Sequence, residues 1–219
     1  MSTTTTTVPE TPDLRTRDAE RTQEAILMAA TVEFAESGLG GARVDRIAER
    51  AGINKRLIYY YFENKEALFL AVLEKTYAGI REAEKELHLV DHDPATAVRR
   101  LVEFTWNYYL KHPEFLALLN SENLHRARHL KTSTRIQEMN SPLVAMLGLV
   151  LERGRQQGVF RGGIDPVQLY ISIASLAYFY LSNSPTLSTI FGRDLLSPQA
   201  LSERLSHITE FTLGYVLRS

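Results

Sequence analysis

Along nearly the whole chain apolar side chains recur every three to four residues, and no run alternates as a half-buried strand would. Such a chain buries its apolar stripes by packing helix on helix, so the expected fold is all-α. Glycine and proline cut the pattern into about nine helices. The first runs from Arg17 to Ser37, buries Ile26, Ala29, Ala30 and Phe34, and stops at Gly38–Gly41. A short second helix over 44–51 puts Val44, Ile47, Ala48 and Ala51 on one face. Gly52 breaks it, and Asn54 is suited to cap a third helix ending near Phe62. Asn64 caps a long fourth helix reaching His88, with Glu66 in its first turn, where the helix dipole favours an anion.

Beyond a break at 88–94 the helices are longer and richer in large apolar residues: 94–111, 113–130, 133–157, 166–183 and 198–217. Pro113, Pro142, Pro166 and Pro198 are each read as lying near a helix start, where proline is tolerated. Residues 154–163 form the main loop of this half, and 185–196 reads as a second irregular stretch with room for one short turn of helix. A small N-terminal unit and a larger C-terminal bundle result.

The two short helices joined by Ala51-Gly52-Ile53-Asn54 have the spacing of a helix-turn-helix. Glycine makes the tight turn and Ile53 anchors it, so that the second helix protrudes. If Ile53, Ile58, Tyr61 and Phe62 face inward, Lys55, Arg56, Tyr59 and Tyr60 share the opposite side, with Leu57 at its edge. Cations neutralise phosphates or reach guanine edges, and phenols donate to phosphate oxygens, so this face suits a DNA major groove. Leu57 has two open readings, contact with a thymine methyl or packing on the second helix.

Bulk charge alone does not reveal this. The formal net charge is -1, and residues 15–65 carry nine cations against eight anions, so binding rests on which face the cations occupy. Cysteine is absent, which removes disulfides, thiolate metal sites and cysteine nucleophiles, and fits a reducing cytoplasm. No apolar run approaches the ~20 residues of a membrane span. The Thr-rich start, Met1–Pro12, lacks the features of a secretory signal and reads, over 1–14, as a flexible arm. Arg15, Arg17 and Arg21 follow it, either as a solvated helix start or as contacts to phosphate or the minor groove.

From Thr22 to Val72 the chain resembles the DNA-binding domain of the TetR family of transcriptional regulators. The likeness covers the helix, the glycine corner, the helix-turn-helix, the Tyr59-Tyr60-Tyr61-Phe62 ending and the Asn64-Lys65-Glu66-Ala67-Leu68-Phe69 that follows. GRQQGVFRGGIDP at 154–166 is similar to a link common in the C-terminal half of that family. The resemblance implies that the third helix enters the major groove while Tyr59, Tyr60 and Lys65 clamp backbone phosphate. Lys65 also has a rationale of its own, an ammonium beside an amide-rich helix N-terminus, against the plain reading of a solvated lysine. DNA-binding residues are therefore expected at Arg43, Asn54, Lys55, Arg56, Leu57, Tyr59, Tyr60 and Lys65. Two positions depart from the pattern. Ala42 and Arg43 replace the Thr or Ser that usually caps the second helix, a loss of about 1 kcal/mol if nothing substitutes. Arg56 stands where the family commonly has a small residue, and is expected to contact base or phosphate.

The resemblance further implies a C-terminal bundle, 66–219, that dimerises and holds an effector, joined to a DNA-binding domain over 15–65. Trp106, Tyr109, Phe115, His125, Tyr170, Tyr178 and Phe179 are candidate pocket residues, although aromatics at helical spacing equally suit a core. Dimerisation is expected through the last two long helices, with Ser172, Ala174, Ser175 and Ala177 on one and Leu201, Leu205, Ile208, Phe211, Thr212 and Tyr215 on the other. Glu122, His125 and His129 can share one helix face, but Arg126, Arg128 and Lys131 around them oppose a cation, so no metal is expected. No nucleophile elbow and no Gly-rich phosphate loop after a strand is present, so neither catalysis nor a cofactor is expected. The expected partners are a palindromic double-stranded operator, a second copy of the chain and an unknown small molecule, in the cytoplasm and away from membranes. A DNA-binding co-regulator or nucleoid-type binder without effector response is the alternative.

Overall fold

The structure, a computed structural model, describes residues 14–218, and their side chains except at 14–16, 137, 140 and 141. The arm expected over 1–14, apart from the backbone of Leu14, and the Arg15 side chain lie outside the described residues. Ten α-helices, two short 3-10 turns and one isolated antiparallel bridge between Phe160 and Leu217 make up the secondary structure of the described residues. No helix among them is long and apolar enough to cross a membrane. Two compact units meet in the chain between Phe69 and Leu70.

In the first unit α1 (Leu14–Gly41) carries Ile26, Ala29, Ala30 and Phe34 on its buried face. Gly38 adopts φ 63°, ψ 172° inside it, a conformation glycine takes without steric cost, and one further turn follows before Ala42. α2 (Val44–Ala51) buries Val44, Ile47 and Ala48, and ends at Gly52 in the left-handed region, φ 66°. α3 (Lys55–Phe62) buries Ile58 and is capped by Asn54, whose side chain accepts from the Arg56 amide at 2.9 Å. α4 (Lys65–Lys85) begins with Asn64 accepting from the Ala67 amide at 2.8 Å. Phe69 near its start meets Phe34 edge to face, ring centres 5.1 Å apart.

In the second unit α5 (Pro94–Lys111) is central, packed on α7 (Thr134–Gln156), α8 (Pro166–Ser182) and α10 (Pro198–Val216). Leu101, Trp106, Leu147, Phe160, Ile173 and Ile208 form the heart of this core. Asp93, Asp165 and Ser197 each accept from a first-turn amide directly before a proline at the helix start. Gly154 gives the closest backbone approach: a Cβ there would sit 2.1 Å from the Phe160 ring.

Four expectations need correction. The stretch 185–196 holds more than the single turn of helix expected, because α9 (Ser184–Phe191) occupies most of it, with Pro185 in its first turn and Gly192 in the left-handed region closing it. α6 (Pro113–Leu124) stops six residues short of 130, since Arg126 and Ala127 take φ 56° and 55°. Pro142 lies inside α7 rather than near its start, at a position where the ring nitrogen cannot donate to the preceding turn. α4 ends at Lys85, three residues before His88.

Candidate DNA interface and effector cavity

The helix-turn-helix positions its outward face through a fixed inner one. Ile58 is buried, Tyr61 and Phe62 are half-buried, and Lys55, Arg56, Tyr59 and Tyr60 are exposed, Tyr60 to 77%. Leu57, at 37%, sits at the edge of that face. Asn54 is exposed with its side-chain oxygen engaged in the cap, which ties it to the geometry of α3.

The cations of the unit divide into held and free. Glu33, wholly buried on α1, accepts from the Arg43 amide at 3.1 Å, and its other oxygen lies 3.3 Å from Arg46 Nε and 3.7 Å from Arg50 Nη2. Arg50 also reaches Glu36 at 2.9 Å. Lys55 is paired with Asp45 at 2.7 Å, a hydrogen bond that raises the lysine's pKa and lowers the aspartate's. Among the described residues, the Arg43 and Arg56 side chains make no ion pair. Lys65 is half-buried and donates to the Ala42 carbonyl at 3.2 Å, which sets its ammonium beside the entry to α2 with two N–H donors left over.

The Arg43 N-cap makes no side-chain cap bond, as the sequence suggests, but Glu33 receives the amide that a Ser or Thr cap would leave to water. Glu33 escaped the sequence reading. Its signal was a glutamate on the inner face of α1, three residues after Ala30 and next to Phe34.

In the second unit Tyr77 and Arg81 of α4, Tyr109 of α5, Phe115 of α6, Leu143 of α7 and Tyr170 of α8 line a cavity of about 360 Å³. Of the candidate pocket residues it brings together Tyr109, Phe115 and Tyr170. The other four are elsewhere. Trp106 is core, its ring 5.7 Å from that of Tyr180. Tyr178 donates to Asn120, and Phe179 is 58% exposed. His125 lies past the end of α6, its ring 5.7 Å from that of His129.

Arg81 was also missed. It donates to Tyr170 Oη at 2.7 Å and to Glu84 at 2.5 Å, with Nε and the second Glu84 oxygen buried and unpartnered. Burial pushes Glu84 up to about 7 although Arg81 pulls the other way, and it pushes Tyr77 up to about 12 and Tyr109 and Tyr170 upward. Tyr77, Arg81 and Glu84 share one face of α4 at intervals of four and three, a signal the sequence offered.

Glu122 and the two histidines do not share a helix face, because the helix ends between them. The buried Glu122 carboxylate accepts from the amides of His129 and Leu130 at 2.8 and 3.0 Å and meets His129 Nδ1 at 2.6 Å. No group of three potential metal ligands was found among the described residues.

Residues 26–72 match the family model described as bacterial regulatory proteins, tetR family, and 94–211 match a tetracyclin repressor-like C-terminal domain. The chain belongs to the TetR family. It is 42% identical over 200 residues to the HTH-type transcriptional repressor NicS of Pseudomonas putida, covering 91% of this chain and 94% of that one. To the HTH-type transcriptional repressor SCO4008 of Streptomyces coelicolor it is 34% identical over 162 residues, 74% and 79% of the two chains. The fold is shared with a TetR family regulator from Marinobacter aquaeolei, TM-score 0.69 at 21% identity, over 94% of this chain and all of the other. As a TetR protein the chain is a DNA-binding transcriptional regulator, and its relatives are named as regulators rather than enzymes.

Proposed function

We propose that the chain is a homodimeric repressor that binds a palindromic operator and leaves it when a small molecule fills the cavity of about 360 Å³. The observation that carries this reading is the exposed side of α3, where Lys55, Arg56, Tyr59 and Tyr60 stand clear of the core. Arg56 reaches a base or a phosphate, Tyr59, Tyr60, Lys65 and Arg43 take phosphates, Leu57 meets a thymine methyl, and Asn54 holds the start of the reading helix. Repression is supported by the names of the two relatives given above.

Dimerisation is supported by an apolar surface on α8 and α10. Val167, Ile171 and Phe179 are exposed beside Ser172 and Ser175, and Phe211 and Tyr215 are exposed beside Gly214. Ile208 and Thr212, expected in the same stripe, are buried within the protomer, so the dimer face is narrower than the sequence reading drew it. Two copies related by a twofold axis read two half-sites one duplex turn or a multiple apart. α4 runs through both units and carries Lys65 at one end and Tyr77 and Arg81 at the other, which makes it the natural element to couple effector to operator. Residues 15–65 are assigned to DNA and 66–219 to effector and dimer, in a cytoplasmic protein.

Footprinting the chain on its own upstream DNA, with and without a metabolite extract, tests the reading. A short protected palindrome that a metabolite uncovers supports it. Sequence-independent coating of the DNA overturns it in favour of a nucleoid-type binder.

A further inference from the structure

The cavity's lining is rich in donors and poor in acceptors. Its polar side chains are one guanidinium and three phenols, with no carboxylate, amide or imidazole among them. Tyr170 Oη already accepts from Arg81, so its own proton is free to be given away. The Tyr77 and Tyr109 hydroxyls make no hydrogen bond to the described residues. The three phenols and Arg81 are close enough to influence one another electrostatically. Arg81 Nε, in a side chain 8% exposed, is without a partner. Beside these donors the wall is apolar: Phe115 stacks on Tyr109 at 5.6 Å and meets Tyr77 edge-on at 5.6 Å. A volume near the small end of ligand sites limits the guest to a compact molecule.

We propose that this cavity takes a small ring-bearing organic acid, whose anionic group is held by the Arg81 guanidinium and the surrounding phenols while its ring lies against Phe115. The proposal rests on the reading of the cavity as the effector site and names the chemistry of that effector. An acceptor-only group satisfies four donors at once, whereas an amide or an ammonium brings donors that meet no matching acceptor.

Glu84 sets a condition. Its carboxylate neutralises Arg81 in the free protein, and a second anion at the guanidinium is opposed unless Glu84 is protonated. The charged and titratable groups around it are Arg81, Glu82 and Lys85 on α4, Tyr108 and Tyr109 on α5, Arg135 on α7 and Tyr170 on α8. The three tyrosines are all pushed above their usual value and stay neutral, and Arg81 stays charged. Burial leaves Glu84, at about 7, to change charge between pH 6 and pH 8. Binding of the acid therefore takes up a proton there and weakens by about tenfold from pH 6 to pH 8.

The test is calorimetric titration of the full chain, without DNA, with benzoate, benzamide and acetate as probes at both pH values. Benzoate is expected to bind at least tenfold more tightly than benzamide or acetate, and more tightly at pH 6. Glu84→Gln should bind benzoate at pH 8 as the unaltered chain does at pH 6. Arg81→Gln combined with Glu84→Gln, which leaves no lone buried charge, should stay folded by circular dichroism and lose benzoate at both pH values. Failure of benzoate to bind, equal binding of benzamide, or retention of benzoate by the double variant overturns the proposal. Operator release is read separately. Benzoate that binds as described but leaves the operator complex intact upholds the ligand class and refutes the effector reading. Release by a neutral compound where benzoate fails to bind refutes the class alone.

Discussion

Both units bury carboxylates among cations, and they use them in opposite ways. In the DNA-binding unit Glu33 holds a backbone amide on one oxygen and has two arginines at ion-pair distance from the other, which makes no hydrogen bond, and its work is to organise what surrounds it. Holding Arg46 and Arg50 leaves Arg43, Arg56 and the two tyrosines to face outward. In the bundle Glu84 has one partner and one bare oxygen, and burial holds it near neutrality. Glu122, with two amides on one oxygen and His129 on the other, is compensated at both oxygens as Glu33 is. A buried carboxylate with amides or cations at both oxygens fixes a structure, and one with nothing at its second oxygen is poised to exchange its partner.

The bundle should owe its stability to apolar packing rather than to Arg81 and Glu84. Trp106, 2% exposed in the middle of the core, sets the scale: Trp106→Ala should cost about 4 kcal/mol in urea unfolding. A loss smaller than that of Glu84→Gln would break this side of the comparison. Glu33→Ala comes next, at about 3 kcal/mol, because it strips a buried carboxylate from an amide and two arginines. It should also weaken operator binding, since Arg43 and the entry to α2 lose their anchor. If calorimetric melting shows Glu33→Ala to be nearly neutral, Glu33 is not the organiser described.

Glu84 sharpens the contrast through pH. Its folded pKa of about 7 stands above the ordinary 4.5, so between those values the folded chain holds more protons than the unfolded one. Stability is then lost as pH rises from about 4.5 through about 7, by roughly 3 kcal/mol. Subtracting the stability curve of Glu84→Gln from that of the unaltered chain should isolate this slope. A difference curve that is flat over that window, or that rises with pH, contradicts a poised carboxyl.

The same contrast explains what could be read in the sequence. The helix-turn-helix was legible because its determinants are neighbours: Gly52 in the left-handed region, Asn54 on the Arg56 amide, and the Val44, Ile47, Ala48 stripe all lie within a dozen residues. The Asp165 and Ser197 caps are local in the same way, each one residue before the proline that opens its helix. The cavity was not, because Arg81 meets Tyr170 across 89 positions, and periodicity cannot distinguish an aromatic that lines a space from one that fills it. Trp106 fills and Tyr109 lines, three residues apart on one helix. The end of α6 was hidden likewise. The Glu122 carboxylate offers the amides of His129 and Leu130 a better acceptor than another helical turn would.

On the DNA side the effects are smaller and sit in affinity. Arg56, exposed and unpaired among the described residues, should lose about tenfold in operator binding on replacement by alanine. The slope of affinity against salt should flatten by about one if it contacts a phosphate. A tenfold loss with the slope unchanged marks a base contact instead. No change in either quantity removes Arg56 from the interface.

The smallest effect tests whether held and free cations are truly distinct. Lys55 is on the reading face but bound to Asp45, and both side chains are open to solvent. DNA must draw Lys55 away from that carboxylate before a phosphate can use it. Asp45→Asn removes the competitor and also removes an anion from the first turn of α2, so operator binding should tighten severalfold in a filter-binding assay at low salt. The gain should shrink as salt rises, because screening weakens the Asp45–Lys55 attraction in the unaltered chain too. Weaker binding by Asp45→Asn would mean that the pair fixes Lys55 in its working position. Lys55 would then join Arg46 and Arg50 among the cations held in place by carboxylates, in contrast to Arg43 and Arg56.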